Sequence, residues 1–315
     1  MHRPRLKTVF RPLGHTQLIK DGRVRPRGFE IEYEDVPVLI DAFRRMVRGS
    51  EFDVCELAFT TYICAKAYGK PFTAIPVFPA RIFHHGAILY NTKARISNPK
   101  DLEGKAVGVH RGYTVTTGVW ARSILQHEYG VDLKKIIWLL SGDEHVEEYR
   151  PPANVLPIER GKKLEDMLAA GEIPAAVNVE LNHPDVKPLI ANPREAGFEA
   201  LRTRGHYPIN HTVVVKNELL DAYPGLAREL FTAFVEAKRP YIEQLENDRI
   251  ATPSNTDRTY KRVMEITGAD PLPYGVEPNR QMIEAVIQYA REQGILTRSI
   301  AVEDLFARET LDLVG

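Results

Sequence analysis

The chain has 315 residues, of which 43% are hydrophobic and 27% charged, with 42 basic and 42 acidic side chains. That length suits two lobes of about 150 residues each. Its zero formal net charge removes the electrostatic footprint that nucleic-acid or polybasic membrane binding needs. No run approaches the roughly 18 apolar residues of a membrane span. The start, MHRPRLKTVFRPLG, carries positive charge without an apolar core or a small-residue cleavage site, so a cytoplasmic address is expected. Cys55 and Cys64, in FDVCELAF and TYICAKAY, read as two buried thiols rather than a disulfide or a metal pair.

In chain order, LKTVF (6–10) predicts a short strand and FEIEYEDV (29–36) a strand of period two. VLIDAFRRMVRG (38–49) predicts a helix ending at Gly49. A strand at 52–57, a helix at 61–69 closed by Gly69, and strands at 72–79 and 86–91 follow. A second series begins at 97 with a short helix capped by Asn98 with Pro99 at its first position. It continues with a strand at 105–110, a helix at 114–130, a strand at 136–140, a helix at 163–172 and a strand at 175–179. HTVVVKN (211–217) reads as a strand leading into a long helix at 226–245, and 278–294 as another amphipathic helix; 248–258 reads as an exposed loop.

Strands alternating with helices at this pitch indicate mostly parallel sheets with crossover helices. The order predicts a discontinuous first lobe, 1–90 and 208–315, and a second lobe, 91–207, each a mixed sheet flanked by helices with a ligand cleft between them. Two crossings of this kind make a hinge.

Ligands of open α/β sheets sit at the carboxyl ends of strands. Two junctions there carry hydroxyls: Thr60 and Thr61 after FDVCELAF, and Arg111, Thr114 and Thr116 in VGVHRGYTVTTG. A helix N-terminus with hydroxyls and an arginine suits a carboxylate; plain N-capping by threonine is the competing explanation. Pro79–His85 offers Arg81 as a cation and His84 and His85 as imidazoles. On a strand only one of the adjacent histidines would point inward, and the pair is poor chelating geometry, so no metal is expected. His211 follows Tyr207–Asn210 at the return crossing. Glu56 and Glu180, at strand ends, are the acidic candidates; Asp53 reads as an ion pair or backbone cap. No GxGxxG, P-loop, GxSxG or HExxH motif occurs.

The segments DGRVRPRGFEIEY, GSEFDVCELAFTTYI, IPVFPARIFHHGAILYN, DLEGKAVGVHRGYTVTTGVWARSIL, YPINHTVVV and DPLPYGVEPNRQMIEAVIQYAREQGI resemble the 4,5-dihydroxyphthalate decarboxylases, and the resemblance spans nearly the whole chain. It implies a type-II periplasmic-binding-protein-like fold. It also implies conversion of 4,5-dihydroxyphthalate to protocatechuate and CO2 in aromatic catabolism, without an organic cofactor. In that reading His85 or His211 acts as acid or base. Glu56 and Glu180 bind hydroxyls or orient a histidine. Arg81, His84, Thr60, Thr61, Arg111, Thr114 and Thr116 hold the substrate. The expected partner is a small aromatic carboxylate, with no nucleic acid and no membrane; assembly into a homo-oligomer is left open. The alternative is a non-catalytic binding protein of the same fold, serving a transporter or a sensor.

Overall fold

The computed structural model describes residues 3–315. In chain order the strands are β1 (Arg5–Val9), β2 (Glu30–Tyr33), β3 (Val54–Ala58), β4 (Phe72–Ile75), β5 (Ile88–Asn91), β6 (Ala106–Val109), β7 (Ile137–Leu140), β8 (Val155–Pro157), β9 (Ala175–Val177), β10 (Val186–Pro188) and β11 (His211–Lys216). The helices are α1 (Gln17–Lys20), α2 (Leu39–Gly49), α3 (Phe59–Ala67), α4 (Thr116–Tyr129), α5 (Leu164–Ala170), α6 (Pro193–Arg204), α7 (Asn217–Ala222), α8 (Leu226–Glu246), α9 (Asn255–Thr267) and α10 (Arg280–Glu292). No helix among the described residues is long and apolar enough to cross a membrane.

The chain divides into two compact units. The first comprises the chain up to Arg81, Ile209–Glu284 and Ile300–Gly315. Its sheet runs β2-β1-β3-β11-β4, with β1 parallel to both β2 and β3 and β11 antiparallel to both β3 and β4. Alternate residues of a strand share a face. Leu6, Val54, Val213 and Val215 accordingly pack with Leu230, Phe231 and Phe234, one stripe of α8. Burying each such side chain contributes about 1.5–3 kcal/mol.

The second unit comprises Ile82–Pro208 and Ala285–Ser299. Its sheet runs β10-β5-β9-β6-β7-β8. Strands β9, β6, β7 and β8 are parallel, so their carboxyl ends share one edge; β5 and β10 run along the other side of the sheet in antiparallel pairings. Sequence patterning placed the first crossing near residue 90 and kept the whole C-terminal region in the first lobe. The return of 285–299 rests on long-range contacts that periodicity does not carry. Gln293 Nε2 donates to the Val119 carbonyl at 3.0 Å, its Oε1 accepts from Arg122 Nε at 2.8 Å, and Tyr289 sets its ring edge-on to Trp120 at 5.6 Å.

Two local expectations are corrected. Residues 248–258 are not all loop: α9 starts at Asn255 behind a capping box, in which Ser254 and Asp257 satisfy each other's backbone N–H. Residues 79–85 are not a strand. Arg81 forms an isolated bridge to Ile209, and His85 opens a single 3-10 turn with His84 flanking it.

Candidate active site

In the first unit the carboxyl edge of the sheet gathers a buried acid and an imidazole. Glu56 lies on β3 opposite Val213, and His211 starts β11 opposite Ala58. They are diagonal neighbours on one face of an antiparallel pair, within side-chain reach. His211 Nδ1 meets Glu56 Oε1 at 2.5 Å, and the backbone N–H of Arg11, just beyond β1, donates to Glu56 Oε2 at 2.7 Å. Glu56 is fully buried, whereas 13% of the His211 side chain is exposed. Burial alone would push the Glu56 carboxyl up. The His211 hydrogen bond and charge, with the Arg11 amide, outweigh it and hold the group below the ordinary carboxylate value. Phe43 of α2 sets its ring edge-on to His211 at 5.2 Å and fixes the imidazole plane from the other side. With Nδ1 engaged, Nε2 is the nitrogen left to exchange a proton.

Thr60 and Thr61 follow Ala58 in the first turn of α3 and are both buried. Neither caps the helix: Ala58 is the N-cap, and no side chain bonds there. The Thr61 hydroxyl is buried without a hydrogen-bond partner. Such a group costs free energy unless something meets it. Asp53 accepts from the Lys7 amide at 2.9 Å and pairs with Lys216 at 3.0 Å, as the backbone-cap reading expects.

In the second unit the loops after β6, β7 and β9 meet at the carboxyl edge. Arg111 (φ 70°), two residues past β6, and Asn178 (φ 60°), the first residue past the adjacent β9, stand in the left-handed region. Strain of this kind in non-glycine residues marks built sites. The Arg111 N–H donates to Ser141 Oγ at 2.8 Å, and that hydroxyl lies 3.5 Å from His110 Nδ1. Burial, aided by the Arg111 charge, lowers the His110 pKa. Thr114 and Thr116 are buried at the start of α4, whose N-cap is Val115, so capping does not account for them either. Thr114 Oγ1 donates to Glu144 at 2.7 Å.

Of the other expected residues, Arg81 lies next to the His211 segment, bridged to Ile209. Arg81 is buried in the first unit, with Nη1 2.5 Å from Asn279 Oδ1. His84 is buried, and His85 is fully buried with Nε2 3.1 Å from Glu128. Glu128 stands in the last turn of α4, twelve residues and about 18 Å of helix beyond Thr116. Arg204 Nη2 also reaches it, at 2.6 Å. Burial would raise the Glu128 carboxyl, but His85, Arg204 and His206 keep it below the ordinary range. Glu180 is exposed beyond β9. Sequence reasoning missed His110, Ser141, Glu144 and Arg122. The strand-end rule that found Arg111 also points to His110 and Ser141; no local signal marks the other two. Both cysteines are free and buried. Among the described residues no group of three or more His, Cys, Asp or Glu side chains could hold a metal ion.

These two mixed sheets define an α/β protein of the type-II periplasmic-binding class. The alkanesulfonate-binding protein SsuA from Xanthomonas axonopodis pv. citri, solved with MOPS, superposes with TM-score 0.53 over 98% of this chain and 99% of its own at 16% identity. The desulfurization enzyme DSZB superposes with TM-score 0.55 over 97% and 96% at 13% identity. These likenesses define the fold alone. No family model matches the chain. Two relatives are named 4,5-dihydroxyphthalate decarboxylase. The Comamonas testosteroni protein is 29% identical over 289 residues, 86% of this chain and 87% of its own. The Pseudomonas putida protein is 31% identical over 177 residues, 51% of this chain and 68% of its own. The chain belongs to the 4,5-dihydroxyphthalate decarboxylase family and is a carboxy-lyase.

Proposed function

We propose that this carboxy-lyase removes one carboxylate from a hydroxylated aromatic dicarboxylate, 4,5-dihydroxyphthalate being the substrate that its relatives' names supply. The observation that carries the reading is the Glu56–His211 pair: a fully buried carboxylate holding a partly exposed imidazole at the ligand-bearing edge of the sheet. Decarboxylation of such a ring needs one proton delivered to one carbon. The hydroxyl para to the departing carboxylate pushes electron density into the ring. His211 Nε2–H protonates the carbon bearing that carboxylate, the electrons of the C–CO2 bond return to the ring, and neutral CO2 leaves. The step consumes one proton and leaves His211 neutral, to be reprotonated from solvent. Glu56 acts through His211, fixing its tautomer and stabilising the imidazolium. Thr60 and Thr61, in the first turn of α3, bind substrate oxygens in this reading, and Arg111, Thr114 and Thr116 stay carboxylate-binding candidates of the second unit. His85, held on Glu128, acts as a structural group.

The test is incubation of the purified protein with 4,5-dihydroxyphthalate, following CO2 and 3,4-dihydroxybenzoate. Turnover is expected, and His211→Asn should lower kcat by at least about a hundredfold while leaving affinity within about tenfold. Tight binding without CO2 would sink the enzymatic reading and leave the binding protein that the SsuA likeness would suggest by fold.

A further inference from the structure

The two loops at the start of α4 meet over a buried cation. Glu144, on the loop after β7, accepts the N–H of Tyr113, the N–H of Thr114 at 3.1 Å and the Thr114 hydroxyl at 2.7 Å. Glycines allow the approach. A Cβ on Gly112 would stand 2.7 Å from Glu144 Oε2 and 2.9 Å from the Asp143 carbonyl, and one on Gly142 would stand 3.1 Å from Arg111 Cα. Arg122 of α4 lies fully buried beside the turn, its guanidinium 3.8 Å from the centre of the Tyr113 ring. Its hydrogen bonds go to neutral groups, the Gln293 side chain at 2.8 Å and the Tyr113 carbonyl at 2.6 Å. Its Nη1 is buried without a partner, 3.0 Å from where a Cβ on Gly118 would stand in the first turn of α4. A buried cation bonded only to neutral groups is stabilised by an anion close by, and Glu144 is the acid whose charge it feels.

We propose that the Tyr113–Thr114 turn is a carboxylate receptor, that Glu144 occupies it in the ligand-free protein, and that a ligand carboxylate displaces Glu144. The inference concerns the second unit alone and takes from the proposed reaction only that the ligand is a carboxylate. Two converging amides and a hydroxyl are what a foreign carboxylate would meet there, with the charge of Arg122 buried against the Tyr113 ring. Glu144 is the partner that would leave, because it sits on a loop between β7 and β8 while the donors stand at the start of α4. Displacement makes Glu144 an internal competitor, which weakens every carboxylate ligand by the fraction of time the receptor stands open.

The probe is phthalate, which carries both carboxylates but neither hydroxyl, so its binding is read without turnover. Calorimetric titration into the wild type, Glu144→Ala, Glu144→Gln and Thr114→Val, with melting curves alongside, decides the matter. Glu144→Ala is expected to bind phthalate about tenfold tighter than wild type, the factor for an occupant present about nine-tenths of the time. Glu144→Gln should bind tighter by a smaller factor, and Thr114→Val more weakly. Unchanged or weaker binding by Glu144→Ala would overturn the proposal, as would absence of phthalate binding in every variant. If Glu144→Ala does not fold, the sign of the Glu144→Gln change decides. Failure of both to fold identifies Glu144 as a structural brace and also overturns the proposal. Tighter binding without any CO2 from 4,5-dihydroxyphthalate would sink the decarboxylase reading and leave the receptor standing; turnover with unchanged phthalate affinity would do the reverse.

Discussion

Substituting Glu56 by glutamine separates positioning from bulk, because the side chain keeps its shape and loses its charge. The two Glu56 oxygens are each committed, Oε1 to His211 Nδ1 at 2.5 Å and Oε2 to the Arg11 N–H at 2.7 Å. Glutamine has one acceptor oxygen. If that oxygen faces His211, the new amide NH2 confronts the Arg11 N–H, and a buried donor loses its partner at a cost of about 1–3 kcal/mol in stability. The bond to His211 survives but is no longer charge-assisted, which removes about half its strength, on the order of 1–1.5 kcal/mol. That loss falls on the imidazolium, which must form before His211 can donate its proton, so kcat drops by about tenfold. Phthalate affinity should stay within about twofold, since neither Glu56 oxygen is offered to a ligand. The assay is CO2 release at saturating 4,5-dihydroxyphthalate for the wild type, Glu56→Gln, His211→Asn and the double variant. Glu56 acts through His211, so adding Glu56→Gln to His211→Asn should lower kcat no further. A full additional tenfold loss in the double variant would refute the positioning role, and an unchanged kcat in Glu56→Gln alone would remove the pair from the mechanism.

Three further outcomes follow from the same geometry. Thr61→Val removes a buried hydroxyl that has no partner; the melting temperature should hold or rise by a few degrees while KM rises several-fold, and a fall in melting temperature would contradict the reading. His85→Ala should leave kcat within about twofold but cost about 1–3 kcal/mol in chemical denaturation, because the buried Glu128 loses its imidazole hydrogen bond; a large loss of kcat at unchanged stability would restore His85 to the chemistry. Glu56 and Glu128 both have folded-state pKa values lowered from 4.5. Lowered acids contribute stability that is complete above the unfolded value and lost as pH falls below it. Denaturation midpoints should therefore fall as pH drops below about 4.5, and Glu56→Gln should flatten that slope; a slope unchanged in the variant would place the acid sensitivity elsewhere.

Much of this arrangement is legible in the sequence where chemistry and periodicity agree. FDVCELA and HTVVV are runs rich in β-branched and apolar residues; the first carries Asp53 at its start and Glu56 within it, the second His211 at its start, which is why Glu56 and His211 stood out. Their pairing was not legible, because a diagonal register between residues 155 apart depends on the antiparallel insertion of β11 beside β3. The threonines at both helix starts were visible for a bland reason, capping, that the structure does not bear out at either junction. Helix α6 went unread although Asn192–Pro193 and Gly205 mark its two ends, because its apolar residues form a weak stripe. Arg122 falls in the helix expected at 114–130, and nothing in that pattern singles it out. It is buried because Gln293, 171 residues away, and the Tyr113 ring together take up its guanidinium, and no local pattern encodes that meeting.

The two acids at the heart of these readings differ in how they are held, and the difference determines what each can do. Glu56 lies inside a strand with no exposure, and its oxygens answer His211 on β11 and the Arg11 N–H just beyond β1, so moving it would break the sheet edge. Such a carboxylate can orient and stabilise but cannot leave. Glu144 is half-buried on a loop, and what it binds is a turn whose donors would serve a ligand equally well. The charge of Arg122, buried beside the turn, favours an anion there. Exchange of one carboxylate for another then costs far less than vacating the turn. An acid fixed in the sheet suits proton transfer, and an acid on a loop over a buried guanidinium suits recognition. If Glu144→Ala tightens phthalate binding while Glu56→Gln lowers kcat alone, the two roles separate by measurement; a variant of either acid that moved both quantities together would show that this division is drawn in the wrong place.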